Sequence, residues 1–383
     1  MKKLCIITTI SATLKSFVVE TAKYLHEQKG YDITLICNPD SSFEKILPSY
    51  LHYIPVPMKR GINFSGFKSI KALEKIFKKE KFDCVQYATP NASFYASQAA
   101  KKAKIPVRLY CQWGIRYVGF KGVKRLIFKA LEKLVCLRST DIFAVSPLNR
   151  EFAIKEGLYK AEKVKVIGNG GTIGVDTGVF DVSCKNDWRT SIRERYAIAK
   201  QDFTFGFVGR ISVDKGCEEL LCAFQAIAKE YDSVKLFIVG NIEENCGITK
   251  ETFAWAKNSD KVIFTGDIEY KDIKKYYAAM DVLVHPTYRE GFGMVLQEAG
   301  ALAVPAITTK IPGASEVMED KTSCLLVEAK NVIELRTAMC ELLIDHEKVE
   351  RLGQGAYERT IRLYERRIML ENQKEAYTIL LGE

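Results

Sequence analysis

The sequence predicts an α/β protein of two doubly wound, Rossmann-like domains facing each other across a cleft. Three observations carry this. The chain has 383 residues, too long for one ordinary core and suited to two domains. Short β-rich runs alternate with helix-length segments, the signature of a parallel sheet covered by helices. That alternation occurs twice, on either side of a stretch rich in Gly, Asp, Ser and Thr.

The first series is "KKLCIITTI", "YDITLIC", "FDCVQYA", "VRLYCQW" and "DIFAVS", with helical segments such as Phe17–Lys29 and Phe67–Lys79 between them. "GNGGTIGVDTGVFDVSCKNDW" reads as a connector. The second series is "DFTFGFVGR", "VKLFIVG", "KVIFTG", "DVLVHP" and "VPAITT". The expected division is a first domain over 1–175, a linker over 176–200 and a second domain over 201–360.

Composition narrows the class. At 47% hydrophobic and 27% charged residues the chain is that of a globular protein. The start "MKKLCIITTISATL" imitates a signal peptide, but its threonines and serine favour a buried first strand. The eleven cysteines are odd in number and never form C-x-x-C, which disfavours a disulfide framework or zinc site and predicts a reducing, cytoplasmic setting. The net charge of +10 is concentrated in the first half, so an anionic surface is expected to meet that half. In "KGVKRLIFKALEKLVCLR" the apolar residues Val123, Leu126, Ile127, Ala130, Leu131, Leu134 and Val135 recur at helical spacing and are expected to face the core. Lys121, Lys124, Arg125, Phe128 and Lys129 would then face an anionic membrane surface. No aromatic–basic recognition motif is present, so nucleic acid is not an expected partner.

In such sheets ligands bind beyond the carboxyl ends of the strands, and the chemistry-bearing motifs fall there. Arg210 and Lys215 follow "FTFGFVG", where a fork and a point charge can converge on a polyanion. Neither a Walker loop nor G-x-G-x-x-G is present. Glu290 and Glu298 bracket the turn of "REGFGMVLQEAG". Gly291 and Gly293 let backbone approach a ligand, and the helix start after them can receive phosphate. A carboxylate there suits a hydroxyl-rich group beyond the phosphates, so the pattern describes a nucleotide-sugar. His285 is expected to be a hydrogen-bonded structural residue.

Together, the Glu-x7-Glu spacing and "VGRISVDKG" resemble the retaining GT-B glycosyltransferases typical of capsule, O-antigen and exopolysaccharide synthesis. "IPVPMKRGIN" and "GVDTGVF" resemble the acceptor half of the subgroup that extends lipid-linked sugars. The resemblance implies that Arg210 and Lys215 bind the donor diphosphate and that Glu290 stabilises the transition state. It also implies that the backbone over Gly291, Phe292, Gly293 and Met294 meets phosphate. Glu298 would hold the ribose, and Thr265, Gly266 and Ile268 would frame the base. The family's usual His-Gly after the fourth strand is Gln112-Trp113-Gly114 here. The usual glycine-rich loop after the first strand is "TTISATLKS", leaving Thr13 and Lys15, with Gln112 and Trp113, on the acceptor side. A terminal helix over 361–383 would return to the first domain. The implied reaction is retaining, metal-independent transfer from a nucleotide-sugar, with a UDP-sugar expected, to a glycan acceptor, against two alternatives of other classes. These are an epimerase or phosphorylase of the same architecture and a non-catalytic sugar-nucleotide scaffold. The expected location is the cytoplasmic face of a membrane, with an undecaprenyl-diphosphate-linked acceptor.

Overall fold

The computed structural model describes residues 1–58, 65–244 and 246–383. These form two compact units, Met1–Ile173 with Arg367–Glu383, and Gly174–Arg366. Each is built on its own parallel sheet.

In the first unit the strands are β1 (Lys3–Ile7), β2 (Asp32–Cys37), β3 (Leu51–Pro55), β4 (Cys84–Tyr87), β5 (Val107–Gln112), β6 (Asp141–Ala144) and β7 (Val164–Val166). Their order is β3-β2-β1-β4-β5-β6-β7. The central strands are apolar on both faces because helices cover both sides. The order reverses between β1 and β4, which makes the loops after those strands the switch point where ligands bind. There Thr9 and Thr89 share a hydroxyl–hydroxyl hydrogen bond of 2.8 Å.

The second unit contains β8 (Phe203–Val208), β9 (Val234–Val239), β10 (Val262–Gly266), β11 (Val282–His285), β12 (Ala306–Thr309) and β13 (Cys324–Val327). Their order is β10-β9-β8-β11-β12-β13. Its switch point lies between β8 and β11, so the loops carrying Arg210, Lys215 and Glu290 emerge side by side. Gly240, at the end of β9, has φ +137°, and a Cβ there would sit 2.0 Å from the Gly209 carbonyl oxygen. Only glycine lets the β9 turn pass this close to the Arg210 loop. Gly240→Ala is expected to lower stability by about 2 kcal/mol, read as a reduced urea midpoint.

β3, β7 and β13 were not among the ten strands expected from the sequence. All three are edge strands of three to five residues, too short for a periodic signal.

The stretch 176–200, expected to be a linker, belongs to the second unit. It contains the helix Lys185–Arg195. Arg189 donates to the carbonyls of Ala278, Ala279 and Met280, and to Asp281 at 2.6 Å. Arg193, 6% exposed, donates to the Ala279 carbonyl at 3.3 Å and to the Ala199 carbonyl at 2.8 Å. The two guanidinium groups satisfy the C-terminal carbonyls of the helix Tyr270–Ala279, where cations are favoured. Such long-range pairings leave no trace in local composition.

The terminal helices break at Glu365, between His346–Tyr364 and Arg366–Leu381. From Arg367 onward the chain is part of the first unit. Tyr377 is buried there edge-on to Phe143, and the Tyr31 hydroxyl donates to Glu383 at 3.0 Å.

Candidate functional site

The second unit's switch point holds three titratable side chains in direct contact. Lys215 Nζ lies 2.7 Å from Glu290 Oε2, and His285 Nε2 lies 3.0 Å from the same oxygen. Glu290 Oε1 accepts from its neighbour's backbone, Gly291 N–H, at 3.1 Å. Burial pushes the His285 pKa down, so the ring is neutral and its Nε2–H donates to the carboxylate. Its Nδ1 is buried without a partner. Burial pushes Glu290 up, but the His285 hydrogen bond and the Lys215 charge together outweigh it. The carboxyl is therefore held ionised, well below the usual carboxylate range.

A second layer fixes these loops. Arg289 pairs with Asp214 at 2.9 Å, and the Asp214 carbonyl accepts from Tyr288 N–H at 2.8 Å and from the Thr287 hydroxyl at 3.1 Å. Gly216, at φ +67°, lies against the Pro286 carbonyl, which a Cβ would approach to 2.1 Å. The loop after β8 is thus tied to the loop after β11, and Lys215 is delivered to Glu290 by backbone contacts.

Glu298 sits in the helix Met294–Ala301, only 6% exposed. Its Oε2 accepts from the Tyr277 hydroxyl at 2.7 Å. Burial pushes its carboxyl up to about 7, although Tyr277, Tyr270 and Arg366 oppose the shift. Sequence reasoning missed both tyrosines, Asp214 and Arg289, and it missed the direct contact of His285 with Glu290.

The other donor-side residues are less uniform. Arg210 stands in the loop after β8 but is 61% exposed and pairs with Glu243. Thr265 and Gly266 end β10, where the Thr265 hydroxyl donates to the Gly266 carbonyl at 3.0 Å, and Ile268 follows half-buried. Gly293, at φ +23°, begins the helix of Met294 without any side-chain cap. Gly313 packs over the turn, and a Cβ on it would lie 2.4 Å from the Gly291 carbonyl oxygen. The Phe292 ring is buried edge-on against Tyr364 at 5.5 Å. Only its backbone is left to serve a ligand.

In the first unit, Thr13 is half-buried and Lys15 exposed on the short helix after β1. Trp113, half-buried, packs on Phe17 with ring centroids 5.7 Å apart. Gln112 departs from the acceptor-side expectation. It is fully buried, its Nε2 donates to Glu132 at 2.6 Å, and its Oε1 accepts from the Tyr159 hydroxyl at 2.9 Å. Glu132 also accepts from Tyr110 at 2.7 Å. A buried carboxylate needs such donors, and they consume the glutamine.

The helix Gly122–Arg138 follows the sequence expectation in its second half, where Leu131 and Leu134 are half-buried and Val135 is buried, and departs from it in its first half. Val123, Leu126 and Ile127 are 72%, 66% and 48% exposed, whereas Glu132, Val135 and Cys136 face inward. Arg125 and Lys129 are drawn in by Glu156, at 3.1 and 2.9 Å, and lie over the Tyr117 ring. Phe128 is half-buried against Phe120. Of the five residues expected to face a membrane, only Lys121 and Lys124 stand fully exposed. They flank an outward apolar stripe. Among the described residues, no helix is long and apolar enough to cross a membrane.

Residues 189–359 match the family model described as glycosyl transferases group 1, and residues 3–146 match that described as glycosyl transferase 4-like. The capsular polysaccharide biosynthesis glycosyltransferase CapM of Staphylococcus aureus is 29% identical over 358 residues, spanning 93% of this chain and 92% of its own. The UDP-Gal:alpha-D-GlcNAc-diphosphoundecaprenol alpha-1,3-galactosyltransferase of Escherichia coli is 25% identical over 322 residues, covering 82% and 81%. The crystal structure of Anabaena HepE in complex with UDP and glucose superposes with a TM-score of 0.80 at 19% identity, over 99% of both chains.

Proposed function

Because the chain belongs to the GT4-type glycosyltransferases of GT-B fold, we propose that it transfers a sugar, with retention, from a UDP-sugar to a lipid-diphosphate-linked glycan. The setting is bacterial surface polysaccharide synthesis at the cytoplasmic face of the membrane. The names of its capsular and undecaprenol-dependent relatives support the acceptor class. The observation that carries the reading is the ionised Glu290 held between Lys215 and neutral His285 at the switch point.

In this mechanism Lys215 exchanges its carboxylate partner for the donor diphosphate, and Arg210 leaves Glu243 to join it. These two cations and the helix start at Gly293–Met294 stabilise the leaving charge without a metal. Glu290, its lysine now shared, faces the oxocarbenium-like sugar as positive charge develops there. His285 fixes the carboxylate's direction. The acceptor hydroxyl attacks from the departing side, and the leaving phosphate oxygen takes its proton, so the α configuration is kept. Glu298 accepts from the ribose hydroxyls, while Thr265–Ile268 border the base. Trp113 and Phe17 offer an apolar face on which an acceptor sugar can stack.

The test is a transfer assay with UDP-, GDP- and ADP-sugars, in chelator, on a farnesyl-diphosphate-linked monosaccharide. The expected result is turnover with one UDP-sugar and a product whose anomeric proton coupling is that of an α linkage. A β-linked product, or free nucleotide-sugar converted without acceptor, would overturn the proposal.

A further inference from the structure

The first unit contains an apolar cavity of about 360 Å³ between the helices Ser65–Glu80, Pro90–Lys102 and Gly122–Arg138. Its size falls in the range of small-molecule sites, roughly 300–1,000 Å³. Phe67, Ile70, Phe94, Phe128, Leu131 and Leu134 form much of its wall. Its mouth is marked by two lining residues that reach solvent, Phe67 at 66% exposure and Arg116.

Two further features belong to the helix Gly122–Arg138 and the turn before it. The outward stripe of Val123, Leu126 and Ile127 lies on the same helix that supplies Phe128, Leu131 and Leu134 to the wall. An exposed apolar stripe on the helix that walls an apolar cavity, on a charged protein, marks a binding surface. The rim is cationic. Arg116 lies 5.0 Å from the Phe128 ring centroid and 5.9 Å from that of Phe120, and Lys124 Nζ lies 4.5 Å from Phe120. The occupant that fits has a hydrocarbon chain joined to an anionic head. A protein partner would match the stripe, but the apolar cavity beside a cationic rim fits a hydrocarbon chain with an anionic head.

We propose that this cavity seats the first part of the hydrocarbon chain of the acceptor lipid, with Arg116 and Lys124 facing its phosphate-bearing head. The inference rests on the reading that the acceptor is a lipid diphosphate. It assigns the cavity a role in acceptor capture separate from the donor chemistry at Glu290. The apolar stripe would lie in the membrane interface, where the chain leaves the bilayer.

The experiment titrates the full chain calorimetrically with farnesyl diphosphate, dodecyl phosphate and inorganic diphosphate, and measures the UDP melting shift in parallel. Farnesyl diphosphate is expected to bind saturably and at least tenfold more tightly than inorganic diphosphate. Leu131→Trp, which fills the cavity, should weaken it at least tenfold and leave the UDP shift intact. Should that variant fail to fold, Arg116→Gln at the surface should weaken farnesyl diphosphate several-fold and leave neutral farnesol unchanged. Wild-type affinity in whichever variant folds would overturn the assignment. Dodecyl phosphate binding as tightly, with the same sensitivity, would give the cavity to ordinary lipids and overturn the acceptor role. Farnesyl diphosphate binding as expected with no UDP shift would instead sink the functional reading while the cavity stands.

Discussion

Glu290→Gln lowers turnover by about 10²- to 10³-fold, while the dissociation constant for UDP stays the same or falls. The two halves of this result have different causes. Glutamine keeps the shape and can still meet His285 and Lys215, but it carries no charge to set against an oxocarbenium-like sugar. The loss therefore falls on kcat. Donor binding moves the other way because Lys215 is now paired with the carboxylate at 2.7 Å. Without that competitor the ammonium is available to the diphosphate at lower cost. Single-turnover kinetics with separate UDP titration checks both halves. Full turnover in the glutamine variant would remove Glu290 from the chemistry.

Glu298→Gln abolishes a pH-dependent loss of stability in the second unit. Burial pushes the Glu298 carboxyl up to about 7, against about 4.3 in an unfolded chain. Between these values the folded state holds a proton that the unfolded state releases. The group's contribution is thus fully present below the unfolded pKa and is lost as pH rises through about 7. The full swing is about 4 kcal/mol. His285 has a lowered pKa and acts in the opposite sense, costing stability as pH falls below its unfolded value near 6.5. Glu290, also lowered, acts only at more acidic pH. Comparing wild type with the variant cancels both. Urea midpoints at pH 5 and pH 8 should show the variant gaining on wild type as pH rises. A pH-independent difference would mean that Glu298 is ionised throughout.

Much of the donor side was legible in the sequence because its signals are local. A strand, a glycine-bracketed turn and a helix in succession place Glu290 and Glu298, and strand-end Gly209-Arg210 places the basic loop. What escaped was decided by contacts distant in sequence. Glu156 is not visible from "KGVKRLIFKALEKLVCLR", yet it pairs with Arg125 and Lys129 in the half of that helix where Val123, Leu126 and Ile127 face outward. Gln112 read as a histidine substitute until Glu132 and Tyr159 claimed both ends of its amide. Arg189 and Arg193, both donating to the Ala279 carbonyl, make a helix-capping element of a stretch whose composition is that of a linker. Tyr270 and Tyr277, whose hydroxyls hydrogen-bond Glu298 and oppose the upward push of burial, carry no motif at all.

Calorimetric titration of UDP into wild type, Lys215→Met and Glu290→Gln decides whether Lys215 and Glu290 are the two halves of one nucleotide-sugar site. Lys215→Met is expected to weaken UDP at least tenfold, a difference of about 1.4 kcal/mol or more, while Glu290→Gln binds as tightly as wild type or more so. Equal affinity in wild type and Lys215→Met, or no UDP binding to any of the three, would contradict that assignment.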